Sequence, residues 1–124
     1  MRSELEHLQS MDQGEAELTT GLSYRSDAPV VVHVRKRDGH YDVDDDGAAV
    51  RLTGEPEGWQ AIAAGLVTAH GLDINPEGVV FVSGVADRDL DALTLSVADT
   101  SMSLYSALRD PGLEVGFDSD TSVE

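Results

Sequence analysis

Four carboxylates crowd one turn of the sequence, Asp42, Asp44, Asp45 and Asp46, followed at once by Gly47 and preceded by His33 and Arg35. Alternate aspartates ahead of a glycine, D-x-D-x-D-G, form the opening half of a calcium loop, where every second side chain wraps one cation and the glycine permits the sharp turn. Asp42, Asp44 and Asp46 are therefore candidate ligands for Ca²⁺ or Mg²⁺. The rest of the loop is missing, because the place of its bidentate Glu is taken by Thr53, and Glu55 comes two positions too late. His33 with an aspartate could also form an oriented acid/base pair. No nucleophile stands near it: the chain has no Cys, no Ser in a tight glycine-flanked elbow, and His7, His33, His40 and His70 are scattered without a zinc spacing. Glycine-rich phosphate loops are absent as well. The sequence thus points away from an enzyme and from a bound cofactor, with Ca or Mg as the alternative.

What must position these residues is a β-hairpin. Val30, Val31, Val32 and Val34 are β-branched, and Asp38-Gly39 accepts the positive φ angles of a type I′ turn. With those two as the loop, Arg37 faces His40, Lys36 faces Tyr41, Arg35 faces Asp42, Val34 faces Val43, His33 faces Asp44 and Val32 faces Asp45. One side then carries Val30, Val32, Val34, Tyr41 and Val43 and should meet the core. The other sets His33 and Arg35 across from Asp44 and Asp42, where opposite charges support the pairing and offer an alternative to a cation. Asp45 falls on the core side, where a lone ionised carboxylate costs several kcal/mol. It is the candidate functional carboxylate, and the structural alternative is that it accepts backbone N–H groups around Asp46-Gly47 or that the strand has already curled away.

Around the hairpin, Ser3 and Glu6 read as a capping box for a short helix using Leu5, Leu8 and Met11 and ending before Gly14. Glu15 to Ala28, with Leu18, Leu22 and Tyr24, reads as a strand or an extended lead-in. Ala48, Val50 and Leu52 alternate like a further short strand. Pro56 suits the first turn of a helix whose stripe is Trp59, Ile62, Ala63, Leu66, Val67 and His70, with Gly71 ending it and the small Ala61, Ala64, Gly65 and Thr68 opposite. Trp59 belongs to the core. Asn75-Pro76-Glu77-Gly78 predicts a type I turn in a second hairpin, with a buried run from Val79 to Val82 before Ser83-Gly84 releases the chain. A long helix follows from Asp87, as N-cap, to Arg109, weakened near Asp99 to Ser101 by Thr and Ser residues. A strand over Leu93 to Val97 is the other reading of its first half. Leu113, Val115 and Phe117 alternate like an optional edge strand, and the acidic end reads as a flexible tail. The division is one domain over 1–112 and a tail over 113–124.

Charge is the most unusual bulk property: 24 acidic residues against 8 basic, a formal net charge of −16, in 124 residues. Nucleic-acid binding is not expected, since phosphate contacts need a basic surface. No stretch approaches the about 20 apolar residues of a membrane span, and without cysteine nothing suggests an oxidising compartment; a cytoplasmic protein is expected. The acidity has two main readings, adaptation to a salt-rich cytoplasm or an exterior that steers the chain to a basic protein.

The stretch Tyr41-Asp42-Val43 followed by Asp45-Asp46-Gly47, after an apolar strand and a charged turn and before an amphipathic helix and Gly71-Leu72, resembles a family of small prokaryotic proteins whose hairpin strand reads Tyr-x-apolar-x-Asp-Asp-Gly. The resemblance covers Val30 to Val82. Upstream, Ser23-Tyr24-Arg25 stands where that pattern has Thr-Pro-aromatic. It implies an α+β domain and brings no established activity.

The fold expected is α+β: a twisted antiparallel sheet of four or five strands, with the Trp59 helix and the Asp87–Arg109 helix covering one face. The function expected first is a non-catalytic interaction protein with an acidic surface, antitoxin-like, immunity-like or a DNA mimic, binding a basic protein or a second copy of itself. The second is a divalent-cation module or metal-dependent hydrolase centred on Asp42–Asp46.

Overall fold

The computed structural model describes residues 2–109, with side chains from Leu5 onward. The order of elements is α1 (Arg2–Gln9), β1 (Gly14–Arg25), β2 (Ala28–Arg37), β3 (His40–Asp44), α2 (Ala48–Leu52), α3 (Trp59–Ala69), β4 (Asp73–Ile74), β5 (Val80–Val85), a single 3₁₀ turn (Asp87–Asp89) and α4 (Leu90–Arg109). The strands make one antiparallel sheet in the order β1-β2-β3-β5-β4. This is an α+β fold.

The β2–β3 hairpin has the register that the Asp38-Gly39 turn imposes, from Arg37 opposite His40 to His33 opposite Asp44. Asp38 and Gly39 take φ of 52° and 80°, the left-handed pair a type I′ turn requires. Period-two alternation then sends Val30, Val32, Val34, Tyr41 and Val43 inward, all fully buried. Lys36 shares their face, but its ammonium reaches the Gln9 carbonyl at 2.8 Å, placing a cation at the C-terminal end of α1 above the Tyr41 ring. β1 runs the full length of β2, with register shifts on either side of Ser23 after Gly21 at φ 86°.

The second hairpin forms as its turn residues dictate. The Gly78 N–H donates to the Asn75 carbonyl, and the Asn75 side-chain oxygen accepts from the N–H groups of Glu77 and Val79. β5 does not stop at Ser83-Gly84 as expected. Those two residues bulge opposite Asp42, with Gly84 at φ 70°, and the strand continues to pair Val85 with Tyr41. Of the run from Val79 to Val82, Val80 alone is fully buried.

α4 is one unbroken helix lying across β1, β2, β3 and β5, so neither a break at Asp99–Ser101 nor a strand at Leu93–Val97 occurs. Its Thr and Ser residues do not break it, because Thr94, Thr100 and Ser101 are on the buried face, where tertiary packing outweighs propensity. α2 and α3 pack against α4, and α1 against β1. α3 ends in a Schellman motif: Leu72 N–H donates to the Val67 carbonyl and Gly71 N–H to that of Thr68, with Val67 and Leu72 both buried.

Other expectations are corrected too. Ala48 to Thr53 is helix, not strand: Asp46 at φ 58° and Gly47 at φ 73° turn the chain out of the sheet, and Arg51 N–H bonds the Gly47 carbonyl. α3 begins at Trp59 behind Gly58 at φ 82°, so Pro56 lies before it. Its buried stripe is the narrow one of Trp59, Ala63 and Val67, and Ile62 is exposed, as are Ala61, Ala64, Gly65 and Thr68. Asp87 does not cap α4. It sits in the 3₁₀ turn and accepts the Tyr41 hydroxyl proton. In α1, Leu5 and Leu8 are buried while Met11 is exposed; the Ser3 side chain, the Leu113–Phe117 alternation and the 113–124 tail lie outside the described residues.

Candidate functional site

α4 lies across one face of the sheet, so the Asp42–Asp46 turn has an inside and an outside. The inside belongs to Asp45, the one carboxylate among the described side chains that is fully buried, at 1% exposure. Its Oδ1 accepts from the N–H of Gly47 at 2.8 Å and of Val80 at 2.9 Å. Its Oδ2 accepts from the Ser101 hydroxyl at 2.6 Å, and Ser101 in turn meets the Tyr24 hydroxyl at 2.7 Å. One carboxylate thus links the end of β3, the start of β5, the middle of α4 and, through Ser101, the far end of β1. Burial raises its pKa above the ordinary carboxylate value, and the hydroxyl and the two amides pull it back. Burial likewise pushes the Tyr24 phenol up to about 12. Tyr24 stacks obliquely on Tyr105, with ring centroids 5.3 Å apart.

The outside holds the remaining members. Asp42 pairs with Arg37, one step diagonal to the expected partner. Arg35 reaches across the other edge of β2 to Glu15 at 3.4 Å, and His33 lies 3.8 Å from Glu17. The register across the hairpin is therefore as expected, while the close ion pairs of Arg35 and His33 run to β1. Asp44 uses its Oδ1 to accept the Asp46 N–H at 2.8 Å, an Asx-type turn, and partial burial raises its pKa against the opposing pull of His33 and Arg35. Asp46 is exposed, and its carbonyl accepts from Arg51 at 2.8 Å. Glu15, Glu17, His33, Arg35, Asp44 and Asp46 line a shallow cleft of about 200 Å³ on the uncovered face of the sheet.

Among the described residues no group of three or more His, Asp or Glu side chains is arranged to hold a metal ion. Asp42, Asp44 and Asp46 share a loop in sequence, but Asp42 is drawn to Arg37 and Asp44 to the backbone of its own turn. Of the other histidines, His40 is exposed beside its turn, and His70 is exposed with Nδ1 2.9 Å from the Leu66 carbonyl, an arrangement that needs the Nδ1–H tautomer. Trp59 is buried in the core.

Sequence reasoning missed Ser101 as the partner of Asp45 and Tyr24 as the partner of Ser101. A signal for Ser101 existed: Thr94, Val97, Ser101, Leu104 and Leu108 follow one another at three- and four-residue steps and so share a face of α4. No helix among the described residues is long and apolar enough to cross a membrane. Comparison of the chain with protein-family models, with curated proteins and with solved structures finds no match.

Proposed function

We propose that the chain is a non-catalytic binding protein whose acidic exterior engages a basic protein partner. The observation that carries this reading is the division of labour among the carboxylates. Asp45, the one withdrawn from water, has its oxygens committed to three donors and no opening to a substrate. Every other carboxylate from Glu6 to Asp99 is exposed or half-buried. A net charge of −16 creates a long-range field that speeds encounter with a positively charged surface and repels nucleic acid. The uncovered face of the sheet, with Glu15, Glu17, Asp44 and Asp46 around His33 and Arg35, offers that field a shallow cleft rimmed by carboxylates.

The test is capture from the source cells with the tagged chain in about 0.1 M KCl, followed by reconstitution with the purified partner. The expected partner is basic, binds in a fixed ratio, dissociates as KCl approaches about 1 M, and is lost to a Glu15→Lys/Glu17→Lys variant. A reconstituted complex indifferent to salt and to charge reversal, or no saturable complex, contradicts the proposal. A chain that binds nothing and gains stability steadily with KCl fits solvent adaptation instead.

A further inference from the structure

Only 8 basic residues are spread over this chain, and two of them, Arg25 and Arg109, line the same cleft. The cleft lies where the end of β1, the end of α2 and the last turn of α4 meet, and it measures about 520 Å³. The volume is enough for a small molecule, and the cleft is open to solvent. Its lining is Arg25, Leu52, Thr53, Tyr105, Leu108 and Arg109, with no carboxylate among them. Other arginine-lined clefts, at the opposite end of β1 and β2, differ in kind: Arg35, Lys36 and Arg37 share theirs with Glu15, and Arg37 shares another with Asp38 and Asp42. Among the described residues, this concavity is lined by two guanidiniums and by no carboxylate.

We propose that this cleft binds an amphipathic oxyanion, a carboxylate or phosphate monoester with a short apolar body, using Arg25 and Arg109 as charge partners and Leu52 and Leu108 as floor. Guanidinium groups present paired N–H donors that match the oxygens of either anion. Arg25 lines the cleft together with Tyr105, which is itself buried against Tyr24. Arg25 pairs with Asp27 at 2.9 Å, an exposed pair of little net worth that an incoming anion can displace. Arg109 has no ion pair among the described residues. The Thr53 hydroxyl gives its proton to the carbonyls of Ala49 and Val50, so it offers the ligand no donor, and recognition falls to the two arginines. Leu108 is buried and Leu52 half-buried, and together they give the cleft an apolar floor that a bare inorganic anion would leave uncovered.

The experiment is titration of the full chain with hexanoate, hexyl phosphate and inorganic phosphate in about 0.15 M KCl, where the acidic field is screened beyond about 8 Å. Binding is followed by calorimetry and by amide chemical shifts. The expected result is one saturable site for a hexyl probe, shifts confined to the residues around the cleft, and inorganic phosphate weaker by about tenfold or more. Arg25→Gln and Arg109→Gln should each weaken the hexyl probe by about tenfold, while Arg88→Gln, exposed on the 3₁₀ turn, leaves it unchanged. Preference for one hexyl probe over the other assigns the anion as carboxylate or phosphate. The absence of saturable binding by either, shifts elsewhere in the molecule, or affinity indifferent to both arginine substitutions overturns the proposal. Because both side chains are exposed, the folded state of each variant is expected to match the parent, and an unchanged amide spectrum away from the cleft verifies it.

Discussion

The Ser101 hydroxyl lies 2.6 Å from Asp45 Oδ2, although 56 positions separate the two residues in the chain. Through this contact the centre of the longest helix is fastened to the turn that ends β3. Removing either partner leaves the other buried and short of a bond, which costs more than the net worth of the bond itself. Ser101→Ala is expected to lower unfolding free energy by about 1–3 kcal/mol, and Asp45→Ala, which orphans two amides as well, by about 3 kcal/mol or more. A double-mutant cycle in urea should give a coupling above about 0.5 kcal/mol. Additive losses would mean that the two groups do not act on one another.

Asp45 also makes a prediction about pH. Its folded pKa is raised above the ordinary 3.8, with burial the largest cause. A raised folded value means that the native state holds the proton more tightly than the unfolded chain. The contribution of this group is therefore full below the unfolded value and is lost as pH rises through the folded one. Asp45→Asn, which cannot ionise, should lack this component. Unfolding measured from about pH 3.5 to pH 7 should show the parent losing ground relative to Asp45→Asn as pH rises. The opposite slope would mean that the three donors outweigh burial.

Two hydroxyls in α4 have no such partner. Thr94 and Thr100 are fully buried, and neither Oγ1 has a hydrogen-bond partner among the described residues. Valine has the same branching and no polar atom, so Thr94→Val or Thr100→Val should stabilise the fold by about 1 kcal/mol each. The thermal midpoint reads this directly, and a fall in either variant would reveal a bond or a bound water at that hydroxyl.

Two glycines separate backbone strain from crowding. Gly39 has φ 80° and open space where a side chain would go, whereas at Gly78, with φ 87°, a Cβ would stand 2.9 to 3.1 Å from the side-chain atoms of Val50. Gly39→Ala should cost about 1–2 kcal/mol for the left-handed backbone alone. Gly78→Ala should cost about 1–3 kcal/mol more, because β-branched Val50 is packed in the core and cannot yield. Equal losses in urea unfolding would show that the Gly78 turn moves away from α2 freely.

What could be read from the chain alone divides along the range of the forces involved. The β2–β3 register was legible because Asp38-Gly39 fixes it locally, and that register alone placed Asp45 on the core side. The acceptance of the Gly47 N–H was legible for the same reason, being two residues away. The bond to Ser101 was not: helical spacing puts Ser101 on the inner face of α4, but the acceptor it meets there lies 56 positions away and is set by tertiary packing. α2 was misread because Ala48, Val50 and Leu52 alternate, while the residues that matter are Asp46 and Gly47, whose consecutive positive φ angles end the strand. The Arg25–Arg109 cleft joins residues from opposite ends of the chain, and no sequence pattern announces it.

The central claim is that the Asp42–Asp46 turn serves the fold, with Asp45 turned inward and Asp42 and Asp44 bonded to Arg37 and to the turn's own backbone. Calorimetric titration with Ca²⁺ and Mg²⁺, at moderate and at high KCl, tests it most directly. The account predicts weak, unsaturable heats that fade with salt and are the same in Asp44→Ala. Saturable uptake near one equivalent, abolished by Asp44→Ala, would contradict it and make the turn a cation site.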